Sequence, residues 1–292
     1  MILFNRLNKL PMKKLCMLFL SLALLSCSKS SLPGNQPPEE NPPGATVDLA
    51  EKIVAHRGAW KEFGYPDNSL IAFEKALSMD ILASECDIQI TKDGKVLIYH
   101  DEQINGKYVK DLTYQQIQET YNLSNQEDVP LLSTFLTSLS ASSTKTHLWM
   151  DVKSLSDAAG GNEQSIRAGK EASKLIKAAG LMSKVRFLVG RKAVLDPVIA
   201  EVDGKWEVAY MNTAYTANQF SNAGYTWANF SYAHIYKSGT GDQPLFDSYT
   251  DKNIKLSVHT VDDVAIALWF LKQPKLYGLT TNNPLIMKNL KL

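Results

Sequence analysis

The chain has 292 residues, 45% of them hydrophobic and 21% charged, with a formal net charge of +1. That apolar fraction supports a sizeable buried core and excludes disorder as the main state. The near-neutral balance offers no basic stripe for nucleic acid, and a single apolar run approaching membrane length excludes a multi-span membrane protein.

The first segment reads as an address label. Lys13 and Lys14 precede the apolar run Leu15–Leu25, which is short for a spanning helix and normal for a signal peptide. Its end, Leu24-Leu25-Ser26-Cys27, resembles the bacterial lipoprotein box, in which the signal is cut before a cysteine that then carries lipid. The expectation is a signal over residues 1–26, with lipidation at Cys27, and an exported, membrane-anchored lipoprotein in the periplasm or at the cell surface. Met12 directly precedes the two lysines, so translation is expected to start there. Cys16 would leave with the signal and Cys27 would carry lipid, so Cys86 is left alone and no disulfide within the chain is expected. Residues 27–46 carry Pro33, Pro37, Pro38, Pro42 and Pro43 and read as an extended tether. One folded domain is expected over residues 47–292.

Within that domain short apolar runs of strand character recur at Ile53–Ala55, Ser84–Ile90, Val96–Tyr99, Leu148–Val152 and Val185–Val189. They continue at Val208–Met211, Tyr225–Asn229, Leu256–Val261 and Leu279–Thr281. Between them, Leu70, Phe73, Ala76 and Leu77 share one helical face, as do Ile166, Ala172, Leu175 and Ile176. Asp262-Asp263 reads as a helix start before Val264–Leu271. The alternation predicts an α/β fold with a parallel sheet, and about eight repeats of the unit favour a closed TIM (β/α)8-type barrel over an open sheet.

Chemistry-bearing residues gather early. His56-Arg57-Gly58 directly follows an apolar strand, where the C-terminal strand ends of a parallel barrel collect function. In Glu85-Cys86-Asp87 the period of two puts both carboxylates on one face and Cys86 on the other, where it reads as a small buried apolar residue. Two inward carboxylates need a positive partner, either a hard divalent cation or a salt-bridge cluster with Arg57 and Lys153. Thr91-Lys92-Asp93-Gly94-Lys95 predicts a tight turn leading back through Val96–Tyr99 to His100-Asp101. Asp151 and Lys153 repeat the shared-face device. Two histidines, an arginine, a lysine and three carboxylates suit phosphoryl chemistry, with imidazoles as base and acid.

The run His56-Arg57-Gly58, Pro66-Asp67-Asn68-Ser69, Glu85-x-Asp87, Thr91-Lys92-Asp93-Gly94 and His100-Asp101 resembles the glycerophosphodiester phosphodiesterase family. The likeness is dense from Ile53 to Asp101, looser from Gly160 to Lys255, and returns weakly at His259-Thr260-Val261-Asp262 and Gly278–Pro284. It implies a TIM barrel that hydrolyses glycerophosphodiesters, small-molecule substrates, to glycerol 3-phosphate and an alcohol with Mg²⁺ or Ca²⁺. It further implies His56 and His100 as the catalytic pair, Arg57 and Lys153 as phosphate ligands, and Glu85, Asp87 and Asp151 as metal ligands. Asp151 stands where the family usually has a longer glutamate. His259 stands at a frequent tryptophan position, here read as a substrate-binding residue, and Asn282 at a common aspartate. These departures bear on the leaving-group pocket. Two rivals remain at this level: a related barrel phospholipase acting on lysophospholipid or phosphoinositide, and a non-catalytic binding lipoprotein on the same barrel. His147, His234 and the aromatics from Tyr225 to Tyr236 read as structural.

Overall fold

A computed structural model describes residues 48–202 and 206–292. The chain divides into a unit of residues 1–45 and a unit of residues 46–292, and every described residue belongs to the second. The expected signal, Cys27 and the tether lie outside the described residues. Among the described residues no helix is long and apolar enough to cross a membrane.

Eight parallel strands close into a barrel. They are β1 (Ile53–Ala55), β2 (Ala83–Ile90), β4 (His147–Val152), β5 (Val185–Val189), β6 (Val208–Tyr210), β7 (Trp227–Ser231), β8 (Lys255–His259) and β9 (Leu276–Thr281). Each pairs with its neighbour in turn, β9 pairs β1, and β1 pairs β2, which completes the circle. A ninth strand, β3 (Val96–Ile98), adds antiparallel to the upper half of β2 through the Thr91–Lys95 turn. In that turn Gly94 takes φ +81° and donates to the Thr91 carbonyl at 3.1 Å.

The outer helices follow the apolar stripes. Helix α1 (Leu70–Ser78) buries Ala72, Phe73, Ala76 and Leu77, and Phe73 stacks on Phe135 of α3 (Leu132–Ala141) with ring centroids 4.3 Å apart. The long α4 (Gly161–Ala179) buries Ala168, Ala172 and Ile176 against the barrel, with Ile166 and Leu175 at its half-buried margin. The segment between His100 and β4 also carries α2 (Tyr114–Thr120), whose Ile117 packs with Leu97, Ile104, Val109, Leu112, Leu123 and Val129 in a small core of its own. The circle is completed by α5 (Lys192–Glu201), α6 (Ala217–Asn222), α7 (Gln243–Thr250), α8 (Val264–Leu271) and α9 (Pro284–Lys288).

Several element boundaries differ from expectation, the last strand starting at Leu276 and not Leu279, and two of the differences bear on the site. The strand expected at Tyr225–Asn229 runs over Trp227–Ser231, because Tyr225 is drawn into an aromatic cluster with Tyr210, Tyr215 and Phe220. The strand expected to reach Val261 stops at His259, which frees Asp262 from the sheet. Of the acidic pair expected to open α8, Asp263 alone is the N-cap, accepting from the Ile266 amide at 3.0 Å.

Candidate active site

The β1–α1 turn organises the upper mouth of the barrel. After β1 the chain turns so tightly that Arg57 takes φ +56° and Gly58 φ +83°. A Cβ on Gly58 would lie 2.7 Å from the Ala72 carbonyl carbon, so only glycine fits there. The turn is tied to β2: the Arg57 amide donates to Glu85 Oε2 at 2.9 Å, and the Gly58 amide to the Glu85 carbonyl at 3.2 Å. Pro66-Asp67-Asn68-Ser69 supplies three further ties. Asp67 accepts from Arg57 at 2.8 Å, and Asn68 donates to Asp87 Oδ2 at 2.8 Å. Ser69 caps α1 through the Ala72 amide at 3.2 Å.

The three expected carboxylates meet. Register places Asp87 of β2 beside Asp151 of β4, and the period of two puts Glu85 on the same inward face. One carboxylate oxygen from each of Glu85, Asp87 and Asp151 lies within 4.8 Å of the other two. The shorter side chain at position 151 therefore reaches the cluster. Cys86 points the other way, into the core beneath the helices, where burial pushes its thiol well above the ordinary cysteine value.

Both sides of the expected alternative are present together. Arg57 Nε lies 3.1 Å from Asp87 Oδ2, and Lys153 Nζ lies 3.1 Å from Asp87 Oδ1 and 3.2 Å from Asp151 Oδ2. Yet these ion pairs leave acceptor capacity unspent. Among the described residues, Asp151 Oδ1 is buried with no hydrogen-bond partner, and Thr280 Oγ1 is equally without one. Burial, reinforced by Asp87 and Asp151, pushes the Glu85 carboxyl well up, and burial raises Asp151 to about 6. Asp87 goes the other way: against its burial, Lys153 and Arg57 hold it below the ordinary carboxylate range. A crowded all-oxygen cluster with a spare buried oxygen fits a hard divalent cation.

The imidazoles flank this cluster. His56 Nε2 stands 4.0 Å from Glu85 Oε2, while its Nδ1 meets Asn282 Oδ1 at 2.8 Å. His100 leaves β3 on the same rim, with Nδ1 2.8 Å from Asp101. Both rings line one cavity of about 260 Å³ together with Arg57, Lys153 and the carboxylates. His259 closes the opposite wall, with Nδ1 3.3 Å from Asn229 Oδ1. Burial lowers it to about 4, so it is a neutral hydrogen-bonding group at pH 7. Leu188 and Met211 complete that wall. Of the residues expected to be structural, His147 abuts the Leu82 carbonyl, His234 packs edge-on against Phe230, Trp227 and Phe230 are buried, and Tyr225, Tyr232 and Tyr236 are half-buried. The sequence suggested no site role for Asn68 or Asn229, and Asp262 read only as part of a helix start. Asn68 and Asp262 carried a signal through their places in Pro66-Asp67-Asn68-Ser69 and His259-Thr260-Val261-Asp262; Asn229 carried none.

A family model described as the glycerophosphoryl diester phosphodiesterase family matches residues 56–286, a span that contains the whole cavity. The chain belongs to that family. A glycerophosphodiester phosphodiesterase of Bacillus altitudinis is 38% identical over 96 residues, which is 29% of this chain and 38% of the relative. An uncharacterized Bacillus subtilis protein, YqiK, is 38% identical over 97 residues, 29% of this chain and 39% of its own length. The match thus spans under half the length of these curated relatives. Among solved structures, a glycerophosphodiester phosphodiesterase from Parabacteroides distasonis superposes with a TM-score of 0.71 at 24% identity, covering 81% of this chain and 94% of that one. An Oleispira antarctica phosphodiesterase, solved with the product sn-glycerol-3-phosphate, gives 0.65 at 18% identity over 81% and 95%. These likenesses establish the shared barrel.

Proposed function

We propose that this family member hydrolyses glycerophosphodiesters to glycerol 3-phosphate and an alcohol, and that it needs a divalent cation to do so. The observation that carries the reading is the gathering of Glu85, Asp87 and Asp151 within 4.8 Å of one another, in one cavity with His56, His100, Arg57 and Lys153. Glu85, Asp87 and Asp151 would hold Mg²⁺ or Ca²⁺, which supplies positive charge for a phosphate oxygen. Arg57 and Lys153 bind the remaining phosphate oxygens; against its burial, Asp151 and Asp87 keep Lys153 protonated. One imidazole takes the proton from the attacking oxygen, whether of water or of a neighbouring substrate hydroxyl. The other gives a proton to the departing alcohol, so the ester P–O bond breaks without an unstable alkoxide. The relative solved with glycerol 3-phosphate supports the choice of product.

Release of glycerol 3-phosphate from a panel of glycerophosphodiesters, with Mg²⁺, Ca²⁺ or EDTA, tests this reading. Turnover that EDTA abolishes and added metal restores is the expected result. Turnover of lysophospholipid alone would transfer the site to the phospholipase reading. No turnover of either class would leave a binding role.

We also propose export and anchoring through Cys27, on the order of charge, apolar run and cysteine at residues 13–27. Palmitate labelling in a bacterial host should mark the wild type and fail with Cys27→Ala; equal labelling of both overturns the proposal.

A further inference from the structure

Behind His56, on the side away from the carboxylates, lies a polar chain that none of the steps above uses. Asn282 Oδ1 faces His56 Nδ1 at 2.8 Å and Trp60 Nε1 at 3.2 Å. Its Nδ2 faces Asp262 Oδ2 at 2.7 Å, and its backbone amide donates to Asp262 Oδ1 at 2.8 Å. Thr281 Oγ1 also donates to Asp262 Oδ1 at 3.0 Å, and Lys61 Nζ stands 3.4 Å from Asp262 Oδ2.

The chemistry of the two outer partners decides which way the amide points. An ionised carboxylate only accepts, so the Asn282 atom against Asp262 must be the NH₂. An indole N–H only donates, so the atom against Trp60 must be the carbonyl oxygen. Both constraints give the same orientation, and neither involves the histidine. A carbonyl oxygen then faces Nδ1 of His56, and that contact is a hydrogen bond only when Nδ1 carries the proton. The neutral ring is thereby left with its lone pair on Nε2, the nitrogen that lines the cavity on the Glu85 side.

We propose that Asn282, clamped between Asp262 and Trp60, is a positioning residue that fixes the tautomer and ring plane of His56 so that Nε2 is the proton-accepting atom. The idea rests on the phosphodiesterase reading for its catalytic consequence, though not for its geometry. Asn282 touches no reacting atom; it acts through His56 alone. The device is particular to this pairing, in which the amide sits on position 282 and the charge on position 262. Exchange of the two, Asp262→Asn with Asn282→Asp, keeps an acceptor toward His56 and a donor toward the carboxylate. The single change Asn282→Asp instead sets two carboxylates against each other.

The test combines long-range ¹H–¹⁵N spectra of the imidazoles in ¹⁵N-histidine-labelled full-length protein with kcat and KM. His56 signals are assigned by their loss in His56→Gln. Wild type is expected to show a protonated Nδ1 and an unprotonated Nε2 at His56 at pH 8. Asn282→Leu should give mixed tautomers and lower kcat by about 10- to 100-fold with KM little changed. The exchanged pair should recover most of that kcat, whereas Asn282→Asp alone should not. A wild-type His56 with its proton on Nε2, or an Asn282→Leu protein with the wild-type spectrum and kcat, overturns the proposal. The spectra need no substrate, so a protein that passes them yet hydrolyses no diester refutes the proposed function and leaves the positioning role standing.

Discussion

The two ends of the barrel lumen are built from the same strands in opposite styles. At the upper end, His56 follows β1 while β2 and β4 contribute Glu85, Asp87 and Asp151, and two buried oxygens around the cavity, Asp151 Oδ1 and Thr280 Oγ1, have no hydrogen-bond partner among the described residues. At the lower end the same β4 contributes Trp149, which meets Trp227 of β7 edge-on at 4.6 Å and stacks on Tyr277 of β9 at 5.8 Å. That plug is satisfied: Trp227 Nε1 donates to Ser257 Oγ at 2.9 Å, and Gly278 leaves room where a Cβ would lie 2.8 Å from the Trp149 ring. Below it, Glu207 accepts from both Arg186 and Lys255. Around the cavity interactions are left unmade and in the plug they are completed, which sets the two apart; Ser84 Oγ and Thr250 Oγ1, in neither, are also buried without a partner among the described residues. Each variant below asks whether that separation is real.

The sharpest break comes at the top. His56→Ala or His100→Ala should lower diester turnover by about 10²- to 10⁴-fold, as expected for loss of an acid or base. Because neither ring packs in the apolar core, thermal unfolding should stay close to wild type. Turnover within a few-fold of wild type would remove these residues from the mechanism. At the bottom the effects invert. Trp149→Ala opens a cavity among fully buried aromatic rings and should cost about 3–5 kcal/mol in urea unfolding. The protein that remains folded should keep its KM, since Trp149 lies outside the cavity lining.

Metal and pH sharpen the comparison further. Saturating Mg²⁺ or Ca²⁺ should stabilise the protein by about 3 kcal/mol at a hundredfold excess over Kd, and Asp151→Asn should abolish most of that gain. Without metal the sign for Asp151 is set by its folded value of about 6, above that of an unfolded carboxyl. Its contribution to stability is fully present below about pH 4 and is lost as pH rises through about 6. His147 and His259, whose folded values are lowered by burial, slope the other way across that window. The quantity to read is therefore the difference between wild type and Asp151→Asn in ΔG of unfolding from pH 4 to pH 7. Asp151→Asn should gain on the wild type by about 1–3 kcal/mol over that range. A difference that does not change with pH would mean that Asp151 ionises as freely in the fold as in the unfolded chain.

What the sequence disclosed and what it hid follow one physical line. Alternation along a strand is local, so Glu85 and Asp87 on one face and Cys86 on the other could be read directly, as could the apolar stripe of α1. The Asp-Gly turn that brings Val96–Ile98 back along β2 was equally local. Partnerships across the fold were not legible. Asn282 meets His56 across a separation of 226 residues, and nothing in either neighbourhood announces it. Asp262 read as half of a helix start because acidic pairs do that work, yet one member was needed to hold the last βα turn. The lower plug escaped for the same reason, since tryptophan and tyrosine on three separate strands look like ordinary core until the barrel closes.

The smallest expected effect tests whether the lower charges belong to the holding machinery at all. Glu207 bonds Arg186 Nε at 2.9 Å and also pairs with Lys255, whose Nζ sits 4.5 Å from the centre of the Tyr277 ring. The arrangement looks like a clamp beneath the aromatic plug. Its side chains are nonetheless part-exposed, about a third for Glu207 and Lys255, so water and salt screen most of the Coulomb energy. Glu207→Gln should therefore cost under about 1 kcal/mol and leave turnover untouched, with the cost shrinking further in high salt. A loss as large as that of Trp149→Ala would show that the charges, and not the stacked rings, keep the floor of the barrel closed.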